Sequence, residues 1–245
     1  MPRKRFGQHF LVDQKVIADI HRVVAIRTSD VVLEIGPGRG ALTAGLVDSA
    51  AQVIAVEIDR DLAADLKVRF PSACLIEDDV LSVSGDLFRK KRIVGNLPYN
   101  ISTNLLLRLA SQNDFVDMHL MLQREVVERI TAVPCSKSWG RLSVKVQRIW
   151  ETHRHFDVAP EAFVPQPQVT STFVRIVPLG NPVEIRNESV FDNVLRTAFS
   201  QRRKKLSNSL SQFEINWSRL GIDSAKRADQ LGVMEYATIA NSLVR

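Results

Sequence analysis

The sequence predicts an α/β protein: a doubly wound, Rossmann-like parallel sheet followed by a small all-α C-terminal domain. Three observations carry this. Short apolar runs alternate with helically spaced segments between residues 31 and 122, a glycine-rich turn directly follows the first run, and only helical spacing remains beyond about residue 180. The expected division is therefore 1–180 for the sheet domain and 181–245 for the helical one.

A chain of 245 residues with 45% hydrophobic and 24% charged residues has the composition of an ordinary globular protein with a sizeable core. Its net charge of +6 favours a polyanionic partner. Cys74 and Cys135 stand far apart with no Cys-x-x-Cys or histidine cluster, so neither a disulfide framework nor a metal site is expected. No apolar run approaches the about 18 residues of a membrane span, and Met1-Pro2-Arg3-Lys4-Arg5 leads into no signal-like stretch. A cytoplasmic protein is expected.

In chain order, residues 3–13 mix cations, aromatics and amides, and Phe6 and Phe10 flanking Gly7-Gln8-His9 argue that this segment is pinned down. Val16, Ile17, Ile20, Val23 and Val24 recur at helical spacing, which predicts a helix to about Ala25. Strands follow over 31–35, 53–57, 73–76, 92–95 and 118–122. Helices are expected from near Ala41, around Leu62 to Phe70, and over 102–111 with Ser102 as its cap.

The carboxyl ends of these strands carry suitable chemistry. Gly36-Pro37-Gly38-Arg39-Gly40 allows close backbone approach to a ligand, a following helix offers N–H groups to an anion, and Glu57 can accept both hydroxyls of a ribose. Gly36-x-Gly38-x-x-Ala41 satisfies the loose dinucleotide fingerprint and by itself does not separate NAD from S-adenosylmethionine. Two features discriminate. Asp79, after the third strand, is placed to accept from an adenine amine, and Asn96 closes the fourth.

Asn96-Leu97-Pro98-Tyr99 is the stretch with the most specific chemistry. The amine of adenine is a poor nucleophile because its lone pair is delocalised into the ring. If the Asn96 side-chain oxygen and a neighbouring backbone carbonyl accept its two hydrogens, the nitrogen pyramidalises and the lone pair is exposed. The face of Tyr99 holds such a base by stacking.

Further on, Gln123 to Arg129 continues into an amphipathic helix, and Trp139 in Lys137-Ser138-Trp139-Gly140 is equally a packing or a partner residue. His153 and His155 lie on a strand with no acid or cysteine cluster and are read as surface groups. In Phe163-Val164-Pro165-Gln166-Pro167 the alternating prolines stiffen an extended segment that presents Phe163 to a flat ligand, before a last strand over 172–177. Gly180-Asn181-Pro182 is the linker. Beyond it come helices around Phe191 to Phe199, from Leu206 to Phe213, and over 234–243, with the basic run Arg202-Arg203-Lys204-Lys205 and Arg3-Lys4-Arg5 as candidate phosphate contacts.

Together, Gly7-Gln8-His9-Phe10-Leu11, Glu34-Ile35-Gly36-Pro37-Gly38, Asn96-Leu97-Pro98-Tyr99-Asn100-Ile101-Ser102, Gly140-Arg141-Leu142-Ser143 and Phe163-x-Pro165-x-Pro167-x-Val169-x-Ser171 resemble the KsgA family of ribosomal RNA adenine dimethyltransferases. Phe199-x-x-Arg202-Arg203-Lys204-Lys205-Leu206-x-Asn208 and Gly221-Ile222-Asp223 extend the likeness to the end of the chain. The resemblance implies an S-adenosylmethionine-dependent enzyme that makes N6,N6-dimethyladenosine at two adjacent adenosines in the 3′-terminal hairpin of small-subunit rRNA, with a part in small-subunit biogenesis. By position, it places cofactor contacts on His9, Leu11, Gly36, Glu57, Asp79 and Asn96, and the base on Tyr99 and Phe163. The chain departs from the family at His9, often Asn there, and at Thr170, commonly an acid, to which no catalytic role is given.

Direct methyl transfer then needs no poised cysteine and no general base in the rate-limiting step, and the target adenine must be unpaired or flipped. Expected partners are small-subunit rRNA, in a pre-assembled subunit, and no membrane; the chain is expected to act as a monomer without metal. Two rivals share features: a large-subunit rRNA adenine methyltransferase conferring antibiotic resistance, and an assembly factor that works by binding. Leu97, Gly140-Arg141-Leu142-Ser143 and the double-proline segment favour the small-subunit enzyme, and a NAD dehydrogenase ranks last.

Overall fold

The computed structural model describes residues 8–110 and 114–244. The basic run Arg3-Lys4-Arg5, Phe6, Gly7 and Ser111 lie outside the described residues. The chain divides into two compact units, Met1–Val127 with Thr152–Pro178 and Glu128–Glu151 with Leu179–Arg245.

The elements follow in order as β1 (Phe10–Leu11), α1 (Gln14–Val24), β2 (Val31–Ile35), α2 (Thr43–Ser49), β3 (Gln52–Glu57), α3 (Arg60–Arg69), β4 (Cys74–Glu77), β5 (Arg92–Asn96), α4 (Ser102–Leu109), β6 (Asp117–Gln123), α5 (Arg124–Ile130), α6 (Arg141–Gln147), β7 (Trp150–Val158), β8 (Phe163–Val164), β9 (Ser171–Pro178), α7 (Glu188–Ser200), α8 (Leu206–Ser209), α9 (Trp217–Leu220) and α10 (Val233–Ser242). The five central strands fall within one or two residues of the sequence expectation.

In the first unit the sheet order is β4-β3-β2-β5-β6-β9-β7. β4, β3, β2, β5 and β6 are parallel, and β9 lies antiparallel to β6. Strands such as Val31–Ile35 are buried on both faces because helices cover both sides of a parallel sheet. Between β2 and β5 the order reverses, and the crevice beyond the strand ends at such a reversal is where α/β sheets bind ligands. Asp13 starts α1 by accepting from the N–H groups of Lys15 and Val16, and Asp59 does the same for Asp61 at α3. The expected Ser102 cap is not formed. Ile101 occupies the cap position, and the buried Ser102 hydroxyl donates instead to the Pro98 carbonyl at 3.2 Å.

A two-stranded ribbon, β1 against β8, has no counterpart in the sequence reading. It pairs Phe10 with Val164 and Leu11 with Phe163, which ties the start of the chain to the segment before β9.

The second unit has its own core of Trp139, Val144, Phe191, Leu195, Leu206 and Tyr236 with their neighbours. Trp139 is buried and donates from Nε1 to the Leu231 carbonyl at 3.0 Å, and the Tyr236 hydroxyl donates to the Ala228 carbonyl at 2.6 Å. This packing draws residues 128–151 into the helical unit, where the sequence reading had placed them in the sheet domain. It also settles Trp139 as a core residue. The predicted helix from Leu206 to Phe213 shortens to the single turn of α8.

Candidate active site

A cavity of about 300 Å³ opens at the carboxyl ends of β2, β3, β4 and β5. His9, Leu11, Gly36, Glu57, Asp79, Asn96 and Tyr99 all line it. Of the residues singled out from sequence, Phe163 alone does not. Its ring is 1% exposed and packs among Leu11, Ile20, Val24 and Phe173, because pairing of β8 with β1 turns it inward. The stiff segment therefore does not present Phe163 to the cavity.

Gly36, Gly38 and Gly40 of the turn all have positive φ. Gly36 and Gly38 have φ of 64° and 59°, values that an L-residue adopts only with strain. A Cβ on Gly36 would stand 4.0 Å from the Asn96 carbonyl and from Pro98, so the missing side chain keeps open the space between the turn and β5. Helix α2 starts at Thr43, later than the sequence suggested, and Leu42 at its cap position supplies no side-chain hydrogen bond.

Glu57 is 4% exposed and is held at both oxygens: Oε2 accepts from the Gly38 N–H at 3.0 Å and Oε1 from the Asp59 N–H at 2.9 Å. Burial pushes its pKa up, against the backbone N–H groups of Asp59, Gly38 and Ile58. A carboxylate held in this way offers acceptors suited to a vicinal diol. Asp79 is partly buried, and its Oδ1 accepts from the Leu81 N–H at 2.9 Å.

Asn96 is anchored from across the cavity. Its Nδ2 donates to the backbone carbonyl of His9 at 3.0 Å. A carbonyl only accepts, which fixes the orientation of the amide and leaves Oδ1 as the free acceptor. The Pro98 carbonyl is engaged by the Ile101 N–H and the Ser102 hydroxyl, whereas the Leu97 carbonyl accepts from no group among the described residues. Consecutive residues at the end of β5 thus each keep an acceptor that is unengaged among the described residues.

The His9 ring stacks on Tyr99 with centroids 5.4 Å apart and planes at 28°. Its Nδ1–H donates to the Pro165 carbonyl at 2.7 Å, and the Tyr99 hydroxyl meets Ser171 Oγ at 2.7 Å. Burial raises the pKa of Tyr99, with the Ser171 hydrogen bond opposing. His9 therefore joins the aromatic wall through its ring and Asn96 through its backbone.

Glu34 was missed. It lines the cavity at 2% exposure, its Oε2 accepts from the Thr43 hydroxyl at 2.7 Å, and burial pushes its pKa up to about 8, helped by the Glu57 charge. A charged residue inside the apolar run 31–35 was the available signal. His119 was also passed over: it is buried in β6 with Asp117 and Arg92, away from the cavity lining. Among the described residues no group of three or more His, Cys, Asp or Glu side chains is placed to hold a metal ion, and no helix is long and apolar enough to cross a membrane. His153 and His155 are exposed, as are both cysteines.

In the second unit Arg202 is engaged by partners within the protein. Its guanidinium donates to the carbonyls of Ser136 and Lys137 at 2.8 Å and pairs with Asp229. Arg203, Lys204 and Lys205 are exposed, and Lys205 pairs across with Arg227 in an isolated antiparallel bridge.

Comparison with known proteins places the whole chain in a family. The model for the ribosomal RNA adenine dimethylase family matches residues 2–245. A protein of Bordetella avium named ribosomal RNA small subunit methyltransferase A is 45% identical, covering 99% of this chain and 95% of its own. The protein of the same name from Nitrosospira multiformis is also 45% identical, over 98% and 95%. Among solved structures, a dimethyladenosine transferase from Plasmodium falciparum superposes with a TM-score of 0.82 at 26% identity, covering 94% of this chain and 96% of that one. The 23S rRNA methyltransferase ErmE shares the fold, with a TM-score of 0.73 at 23% identity over 96% and 100%. With the family model matching residues 2–245 and relatives 45% identical over nearly the whole chain, the chain belongs to the ribosomal RNA adenine dimethylase family.

Proposed function

We propose that the cavity binds S-adenosylmethionine against Gly36, Glu57 and Asp79 and that Asn96 and Tyr99 receive an unpaired adenine of small-subunit rRNA for two successive N6 methylations. The chain is an rRNA adenine dimethyltransferase by family. The observation that carries the site assignment is the Asn96 amide, held through Nδ2 so that Oδ1 and the neighbouring Leu97 carbonyl remain as a pair of acceptors.

The residues present fit the cofactor. Gly36 leaves room beside Asn96, Glu57 offers two oriented oxygens to the ribose hydroxyls, and Asp79 is an acceptor for the adenine amine. When bound, S-adenosylmethionine supplies a methyl carbon made electrophilic by its sulfonium. Asn96 Oδ1 and the Leu97 carbonyl accept the two hydrogens of the target amine, which favours a pyramidal nitrogen and stabilises the positive charge it gains on methylation. The methylated nitrogen then loses a proton to solvent. Tyr99 aligns the ring, so alignment and these acceptors supply the rate enhancement without a general base.

The finer reading is that the targets are two adjacent adenosines of the 3′-terminal hairpin, met in a pre-assembled small subunit by a monomer acting in the cytoplasm. Names of the relatives support the small subunit over the large. Arg203, Lys204 and Lys205 are the proposed phosphate contacts, for which binding weakens as salt rises. The test is to incubate the protein with labelled cofactor and, in parallel, under-methylated small subunits, large subunits and free rRNA, and to map the modified base. Label on small-subunit adenine N6 is expected; label confined to large subunits overturns the reading.

A further inference from the structure

The segment after β8 and the first residue of β9 grip the aromatic wall at two points. The Pro165 carbonyl accepts from His9 Nδ1, and Ser171 Oγ bonds the Tyr99 hydroxyl, each at 2.7 Å. Ser171 is fully buried at the first position of β9. Because β9 runs antiparallel to β6, its first residue falls at the carboxyl edge of the parallel strands, opposite Gln123, which is where the cavity opens. The ladder holds the Ser171 backbone, so its hydroxyl is a fixed point for the far end of the Tyr99 ring. His9 stacked on one face supplies the second constraint. Two constraints define the plane of a ring that has only two rotatable side-chain bonds.

That plane does not matter equally to both methyl transfers. An unmethylated adenine amine has two hydrogens, one for Asn96 Oδ1 and one for the Leu97 carbonyl. A monomethylated amine has one, so one of its two tethers is gone. Stacking must then supply the orientation that the lost hydrogen bond supplied before. We propose that Ser171 is a positioning residue for the second methyl transfer: by fixing the Tyr99 hydroxyl it sets the plane against which the monomethylated base is aligned. This inference rests on the proposed function, and nothing in it requires Ser171 to touch substrate. It also gives the Phe163-to-Ser171 motif a role different from presenting Phe163, namely to hold His9 and Tyr99 from behind.

The test separates the two transfers. Under-methylated small subunits are incubated with saturating cofactor and wild-type protein, Ser171→Ala, Tyr99→Phe or the double variant, and the rRNA is digested to nucleosides over time. Loss of this hydrogen bond in Ser171→Ala is expected to slow the second transfer about five- to tenfold and the first by about twofold or less, whereas Tyr99→Phe, which alters the base-holding ring itself, slows both transfers and the second by more. Monomethyladenosine then accumulates in both single variants, and the double variant is no slower than the slower single one. Affinity of Ser171→Ala for S-adenosylhomocysteine stays within about twofold of wild type, since Ser171 is not in the cavity lining. Should Ser171→Ala fail to fold, Ser171→Cys, close in size and a weaker hydrogen-bond partner, carries the prediction. Equal slowing of both transfers, or single effects that multiply in the double variant, would overturn the inference. No methyl in the wild-type arm would instead overturn the proposed function itself.

Discussion

The side-chain amide of Asn96 hangs from the backbone carbonyl of His9 at 3.0 Å, across 87 positions of sequence. The tether uses the main chain of His9, so its ring is a separate device. His9→Ala keeps the carbonyl and loses the stack on Tyr99 and the bond to Pro165. Methyl transfer is expected to fall by about tenfold, consistent with one hydrogen bond and one aromatic contact. Steady-state kinetics with small subunits measure it, and complete loss of activity would show that the ring does more than support.

Glu34 makes stability depend on pH in a direction opposite to that of a salt-bridged acid. Folded, it keeps its proton up to about pH 8, whereas its ordinary value is 4.5. Between those values the folded chain binds a proton that the unfolded chain has released. The stability this contributes is complete below 4.5 and is lost as pH rises, by at most about 1.4 kcal/mol per unit. Glu34→Gln abolishes that slope and can still accept from Thr43. Urea unfolding at pH 5 and pH 8 should show the variant gaining on wild type at the higher pH; an unchanged difference between the two would refute the assignment.

Gly38→Ala strains the turn twice. The φ of 59° is unfavourable for alanine, and the new Cβ would meet the Phe10 ring at 3.1 Å. A loss of about 1–3 kcal/mol is expected, together with weaker S-adenosylhomocysteine binding because the Gly38 N–H orients Glu57. Gly180→Ala, where nothing lies within 4 Å, is the control and should stay within about 0.5 kcal/mol of wild type.

Much of the site was legible because parallel strands end where ligands bind, and each of Gly36, Glu57, Asp79 and Asn96 closes or follows a recognisable apolar run. What was not legible depends on distant pairing. β1 and β8 are two residues each, too short for any periodicity, yet their register turns Phe163 inward and brings Pro165 to His9. Residues 128–151 joined the helical unit because Trp139 and Val144 pack against residues some fifty to a hundred positions later. Arg202 looked like its basic neighbours, and only the positions of the Ser136 and Lys137 carbonyls set it apart.

Phe163 gives a direct comparison between the two readings of its motif. Truncation of a ring this buried is expected to cost about 3–5 kcal/mol of stability. Thermal or urea unfolding of Phe163→Ala checks this. A variant as stable as wild type that has lost only its affinity for rRNA would restore the base-facing reading.

Asn96→Ala tests the central claim most directly, with methyl transfer and small-subunit binding measured side by side on the same preparation. Loss of the Oδ1 acceptor is expected to lower transfer by about 10²- to 10³-fold or more while subunit binding stays near wild type. Methyl transfer at the wild-type rate by this variant would contradict the account.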